Sequence, residues 1–325
     1  MSLTSRRMTK VISYVIFTFC SAAIWSMGSY GQEKGFPNRE IKVLVATAGS
    51  GSDLWARAWV DEYAKVVKVP VIVVNKGGGL GSQIDTARAK PDGYTLTYLS
   101  QTHIIECAAT SKPPVDLVKA FVPIGAFGTF PTIIAVEKSS PFTSFENLIE
   151  YANKNPKKLK CGTAGFVVSH FNFELLKKLT KTDIVMVPFK GSAPAVTALL
   201  GNHVDVVSLS PPAVAGLLKA GRVRGLIATQ KFRDFPDIPS FSEKGFGDVA
   251  LTSWSALFGP SGIPNEIHRK LVDSFERMAK DPNSIKKLEA LGYVAEYQSP
   301  EYLETKLKKD IEKITPLVKE VGIVE

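Results

Sequence analysis

A chain of 325 residues, 45% hydrophobic and 22% charged, has the make-up of an ordinary soluble globular protein, with sequence enough for one large or two medium domains. The formal charge of +9 is mild, and segments such as KLKKDIEKITPLVKE mix both signs, which argues against a nucleic-acid-binding stripe. Three cysteines stand at unrelated spacings and form no metal or redox motif.

At the amino end, Arg6, Arg7 and Lys10 precede the apolar run VISYVIFTFCSAAIWSM and small residues around Gly28 and Gly31. This reads as a secretory signal over residues 1–31, with translation from Met1 or Met8 and cleavage near Gly31. The run is also about long enough to span a bilayer, so a retained anchor stays open. Cys20 lacks the small-residue context of a lipid-modified cysteine. Removing the leader takes three basic residues and no acids, leaving 37 basic against 31 acidic residues, or +6. Cys107 and Cys161 would remain, either paired in an oxidising compartment or as two isolated buried thiols.

Short apolar runs then alternate with helical patterns. IKVLVAT predicts a strand, DLWARAWVDEYAKVV a helix, VPVIVVN a strand, GSQIDTARAK a helix, and PDGYTLTYLS a turn into a strand. Further on, IIAVEK, KLKCGT, DIVMVPF, VDVVSLS and RVRGLIAT read as strands, and SFENLIEYANKNP, HFNFELLKKLT, APAVTALLGN and PPAVAGLLKAG as helices. Alternation of this kind predicts an α/β fold of mostly parallel sheets flanked by helices. TIIAVEK and RVRGLIAT bracket a compact middle block, and the final third differs in texture. The expected organisation is therefore one lobe from residues 36–137 and 226–325, with a second from 138–225 inserted in it. Open parallel sheets bind ligands at the carboxyl ends of their strands, which places a cleft between the lobes.

Four strand-end loops carry the chemistry: AGSGSD, KGGGLGS, GTAGFVVSH and PFKGSAP. Glycines and hydroxyls at helix starts expose unpaired N–H groups, and the helix dipole adds positive potential there, so such loops bind anions without a cationic side chain. Enzyme motifs are weak by comparison. In GGGLGS, Ser82 stands where a dinucleotide loop needs its third glycine or an alanine, and no phosphate loop, GxSxG elbow or HExxH occurs. The four histidines lie far apart in sequence, so no catalytic residue, metal-ligand set or cofactor is assigned. Two readings stay open at His170 (ligand contact, or a capping or core histidine), at Trp55 (ligand stacking or interior) and at Asp205 (cleft or turn).

These loops, with FPNREIKVLVATAGSGSDLWAR, KPDGYTL, VPFKGSAPAVTALLGNHVDVV, PDIPSFSEKG and SWSALFGPSGIP in order, resemble the solute-binding proteins of the tripartite tricarboxylate transporter family. The resemblance implies a two-lobed periplasmic binding protein fold of type II, a periplasmic location, no catalysis, and delivery of a small carboxylate to membrane transporter subunits. It implies ligand contacts at Ala48, Gly49, Ser50, Gly51, Ser52 and Asp53, at Gly78, and at Ser100 and Thr102. It carries over likewise to Thr163, Ala164, Gly165, Phe166, Ser169 and His170, to Lys190, Gly191 and Ser192, and to Asp205. Where the family has glycine and a hydroxyl residue, this chain has Phe166 and Val167, so an apolar or aromatic ligand body is expected. A monomer without nucleic-acid partners is expected. The rival readings are an enzyme on a similar scaffold, a cytoplasmic effector-binding module, and a ligand sensor for a signalling partner.

Overall fold

The computed structural model describes residues 35–322 apart from 166, 233, 248–250 and 252; the leader predicted over 1–31 and the candidate Phe166 lie outside the described residues. The first sheet runs in the order β11-β4-β10-β3-β1-β2. Its strands are β1 (Ile41–Val45), β2 (Val71–Asn75), β3 (Thr95–Leu99), β4 (Phe121–Phe130), β10 (Ser253–Pro260) and β11 (Val294–Gln298). The second has the order β7-β6-β8-β5-β9, from β5 (Ile133–Glu137), β6 (Lys160–Thr163), β7 (Val185–Pro188), β8 (Val206–Leu209) and β9 (Val223–Ala228).

Both sheets are mixed, which corrects the expectation of mostly parallel ones. β2 and β3 flank β1 in parallel, but β10, β4 and β11 pair antiparallel beyond them. In the second sheet β6, β7 and β8 are parallel, while β5 runs against both β8 and β9. β4 and β5 make the passage from the first sheet to the second, β9 and β10 the return, and β11 adds a further antiparallel strand at the edge of the first sheet. Strand pairing keeps Ile133–Glu137 and Val223–Ala228 whole in the second sheet, a few residues from the divisions expected at 137 and 226. The two crossings are tied together: Thr132 N–H donates to Thr229 Oγ1 and Thr229 N–H to the Thr132 carbonyl, each at 2.9 Å.

The helices that follow β1, β3, β6, β7 and β8 matter most: α1 (Gly51–Val67), α3 (Gln101–Ala109), α5 (Val168–Thr180), α6 (Ser192–Leu200) and α7 (Pro211–Lys219). The others are α2 (Gly81–Ala87), α4 (Phe145–Lys154), α8 (Asn265–Ala279), α9 (Pro282–Ala290) and α10 (Pro300–Val321). On α1 the spacing of four between Trp55, Trp59 and Tyr63 makes one apolar face, fully buried against Phe275 of α8, with the Trp59 and Phe275 rings 5.2 Å apart. Trp55 is therefore interior, and its indole N–H donates to the Phe127 carbonyl of β4 at 2.6 Å, pinning the start of α1 to the first sheet.

The start of α3 is anchored from the far end of the chain. Gln101 Nε2 and Trp254 Nε1 both donate to Asp310 Oδ2 of α10, at 3.0 and 2.7 Å, while Leu303, Leu307 and Ile314 pack with Ile104 and Ile105. α5 contributes to two cores, with Val168 and Phe171 in the cluster under the first sheet and Phe173 and Leu176 in one under the second. Cys107 and Cys161 are both free thiols.

Candidate functional site

The strand-end loops converge on one cavity of about 270 Å³, continuous with an outer recess of about 550 Å³ through Gly51, Phe130, Ser192, Ser210 and Tyr293. Four helix starts meet at the inner cavity with N–H groups to offer: Gly51 and Ser52 of α1, Thr102 of α3, Val168 and Ser169 of α5, and Ser192 of α6. Helix geometry supplies no acceptor to these first-turn N–H groups, and the aligned peptide dipoles make each start electropositive. A fifth helix, α7, opens with Pro211 and Pro212, which have no N–H, so its end lends the Ser210 hydroxyl and an apolar ring. No Lys or Arg lines the inner cavity among the described residues. Positive potential there comes from backbone.

The bare backbone of AGSGSD has two different causes. Gly49 has φ of 74°, a conformation that favours glycine. Gly51 has no such excuse: its backbone is helical, and a Cβ built there would meet nothing within 4 Å. The space in front of Gly51 belongs to the cavity, so glycine at this position leaves the N–H groups of the first turn open to close approach.

Asp53 sits in the same turn but does not line the cavity. Its carboxylate, 3% exposed as a residue, accepts from Gly49 N–H at 2.9 Å, Arg57 Nε at 2.9 Å and Asn75 Nδ2 at 3.0 Å. Burial pushes its carboxyl up, but hydrogen bonds from Arg57, Gly49 and Asn75, with the Arg57 charge, outweigh this and hold it below the ordinary value. The negative charge is thereby paired within the turn, and the loop is tied to β2. Asp53→Ala is expected to cost about 1–3 kcal/mol in chemical denaturation, because it strands buried donors, and to weaken ligand binding by loosening the Gly49 turn.

Of the predicted residues, Ser50, Gly51, Ser52, Ser100, Thr102, Ala164, Ser169 and Ser192 line the inner cavity, and Gly49 the outer recess. The rest lie elsewhere or outside the described residues. Ala48, Gly78 and Lys190 are exposed outside it, and Gly79 takes the place expected of Gly78. Gly165 and Gly191 are turn residues with φ of 93° and 107°, Gly191 forming the N-cap of α6. Thr163 is fully buried and does not line the cavity, its hydroxyl 3.1 Å from His170 Nδ1. His170 is 2% exposed, with Nε2 3.9 Å from Glu174; burial, then the charge of Lys177, pushes its pKa down to about 4. The core-histidine reading holds. Asp205 precedes β8, whereas the cavity lies at the other end of that strand, at Ser210; it accepts from Lys160 N–H at 2.8 Å and staples β8 to β6.

Several lining residues went unpredicted: Tyr98, His103, Glu106, Phe130, Thr132, Ser210, Ser253 and Tyr293. His103 completes a capping box, its Nδ1 accepting from Ser100 N–H at 3.1 Å, which leaves the ring proton on Nε2. Burial pushes this imidazole down to about 4 against the opposing hydrogen bond from Ser100, so it is neutral. Tyr98, bonded to Ser255 Oγ at 3.2 Å, and Tyr293 have phenols raised by burial, so both keep their protons. Glu106 stands one turn beyond Thr102 on α3, mostly buried, with Oε2 lacking any hydrogen-bond partner and burial pushing its pKa up to about 7. Thr102 and Glu106 are four apart on a helix, so placing one at the cavity was a signal for the other.

Among the described residues no group of three His, Cys, Asp or Glu is placed to hold a metal, and no helix is long and apolar enough to cross a membrane. A family model described as tripartite tricarboxylate transporter family receptor matches residues 55–323. A UPF0065 protein of Agrobacterium vitis, from the TAR-I ttuE-ttuC' intergenic region, is 29% identical, with 97% of this chain and 94% of that one covered. Among solved structures, malate-bound MatC of Rhodopseudomonas palustris is 27% identical with a TM-score of 0.73, covering 87% of this chain and 100% of its own. Adipate-bound Rpa4515 of R. palustris is 26% identical with a TM-score of 0.76, covering 87% and 98%. The two-domain α/β architecture is that of type II periplasmic binding proteins, and the chain belongs to the receptor family of the tripartite tricarboxylate transporters.

Proposed function

We propose that this protein is a periplasmic receptor that captures a small carboxylate in the cavity between its two sheets and hands it to the membrane subunits of a tripartite tricarboxylate-type transporter. One observation carries the reading: four helix starts, whose first-turn N–H groups have no acceptor within the helix, meet at a cavity with no Lys or Arg on its walls among the described residues. Such a site takes an anion through backbone donors. Relatives with malate and adipate bound support the ligand class. Family membership supports the periplasmic location and a receptor role in place of an enzyme's, and residues 1–31 serve as the export leader.

The ligand sits with its carboxylate at Gly51 and Ser52 and an apolar body against Phe130, Tyr98, Tyr293 and Val167. Binding draws the lobes together about the paired crossings at Thr132 and Thr229. The carboxylate must bind the closed form better than the open one for this to occur.

A thermal-shift panel on the chain from Gln32, freed of co-purified ligand by refolding, tests the proposal. Mono-, di-, tri- and aromatic carboxylates are set against phosphate and nicotinamide dinucleotides. A cognate carboxylate at about 100 times its dissociation constant adds roughly 2.7 kcal/mol and several degrees. A shift with dinucleotides and with no carboxylate would return the enzyme reading.

A further inference from the structure

An acidic side chain inside a cavity for anions needs a reason. Glu106 lines the same cavity as Gly51, Ser52, Thr102 and Ser169, yet no cation among the described residues lines it with Glu106. One carboxyl oxygen is buried and has no hydrogen-bond partner. Buried carboxyl oxygens are normally paired, and this one belongs to a residue on the cavity wall, so Glu106 brings an unmatched acceptor to the site. Glu106 lies one helical turn beyond Thr102, so the site has two ends of opposite character: N–H donors at the helix starts, and an acceptor about 5–6 Å further along α3.

Resting on the receptor reading above, we propose that Glu106 determines specificity by accepting a hydrogen bond from the distal end of the ligand, so the site selects carboxylates bearing a far N–H donor, best a cationic amine, over dicarboxylates. A cation there would fill the orphan acceptor and hold Glu106 ionised. A second carboxylate would bring like charges together without water between them. Burial pushes this carboxyl up to about 7, the mark of a charge with no cationic side chain beside it. The apolar walls at Phe130, Tyr98 and Val167 suit the methylene chain between the two ends.

Three probes of equal chain length separate the possibilities by titration calorimetry at pH 8: 5-aminopentanoate, pentanoate and glutarate. The wild-type protein is expected to bind 5-aminopentanoate at least tenfold more tightly than glutarate, with pentanoate between them. Glu106→Gln, with its melting temperature recorded as a fold control, should weaken 5-aminopentanoate and tighten glutarate, each by tenfold or more. Glutarate preferred by the wild type overturns the proposal with no variant needed. So does a selectivity ratio that Glu106→Gln leaves within threefold, although the receptor reading then stands. If none of the probes, nor any carboxylate of the wider panel, binds the wild type, the receptor reading itself falls and takes this inference with it.

Discussion

Gly51→Ala is expected to weaken carboxylate binding at least tenfold while leaving the melting temperature unchanged or a few degrees higher. Two independent features of Gly51 lead to opposite effects on binding and on stability. Its backbone is helical, so alanine relieves the entropic cost of glycine at no steric cost within the protein, and nothing lies within 4 Å of the added Cβ. The same Cβ enters the cavity where first-turn N–H groups would meet an oxygen at about 2.8–3.0 Å. Losing one charge-assisted hydrogen bond is worth about 1.5–3 kcal/mol, and each 1.4 kcal/mol is tenfold in affinity. Gly51→Leu, filling more of the space, should abolish binding altogether. Calorimetry paired with thermal melts separates the two axes. Unchanged affinity in Gly51→Leu would move the anion site away from α1.

The cavity's donor side was legible in the sequence because its determinants are local. A glycine, a hydroxyl and a helix start are adjacent along the chain, and Ser50, Gly51, Ser52, Ser169 and Ser192 all reach the cavity. Its other walls were not. Phe130, Ser253 and Tyr293 arrive on β4, on β10 and just ahead of β11, strands that the pattern of apolar residues did not disclose. β10 is buried at every position, so no alternation of period two marks it, and its antiparallel pairing with β4 joins residues more than 120 apart. That same pairing helps to make the first sheet mixed. Asp205 and Lys190 lie off the cavity for a related reason: being near a cavity-lining motif in sequence does not decide which end of a strand, or which side of a turn, a residue occupies. Burial decided His170 and Trp55, and burial is set by the elements packed over them.

Acid should destabilise this protein well before its surface carboxylates titrate. His103 and His170 are buried and neutral, with pKa values pushed down to about 4 from an ordinary 6.5, so each contributes stability that is present above about pH 6.5 and lost as the pH falls toward 4. Over that window the unfolded chain takes up protons that the folded chain refuses, at about 1.4 kcal/mol per pH unit for each imidazole. Glu106 works in the other direction. Its pKa is raised to about 7 from 4.5, so its contribution is fully present below about pH 4.5 and is lost as the pH rises through 7. Between pH 6.5 and 5 the carboxyl therefore offsets about one of the two histidines, leaving a net loss of roughly 2 kcal/mol. Urea denaturation at pH 7 and pH 5 should show a loss of that size. In Glu106→Gln the offset is gone and the loss should about double, while His170→Asn should flatten the wild-type profile. Equal stability at the two pH values in Glu106→Gln would mean that the buried imidazoles are not held neutral by the fold.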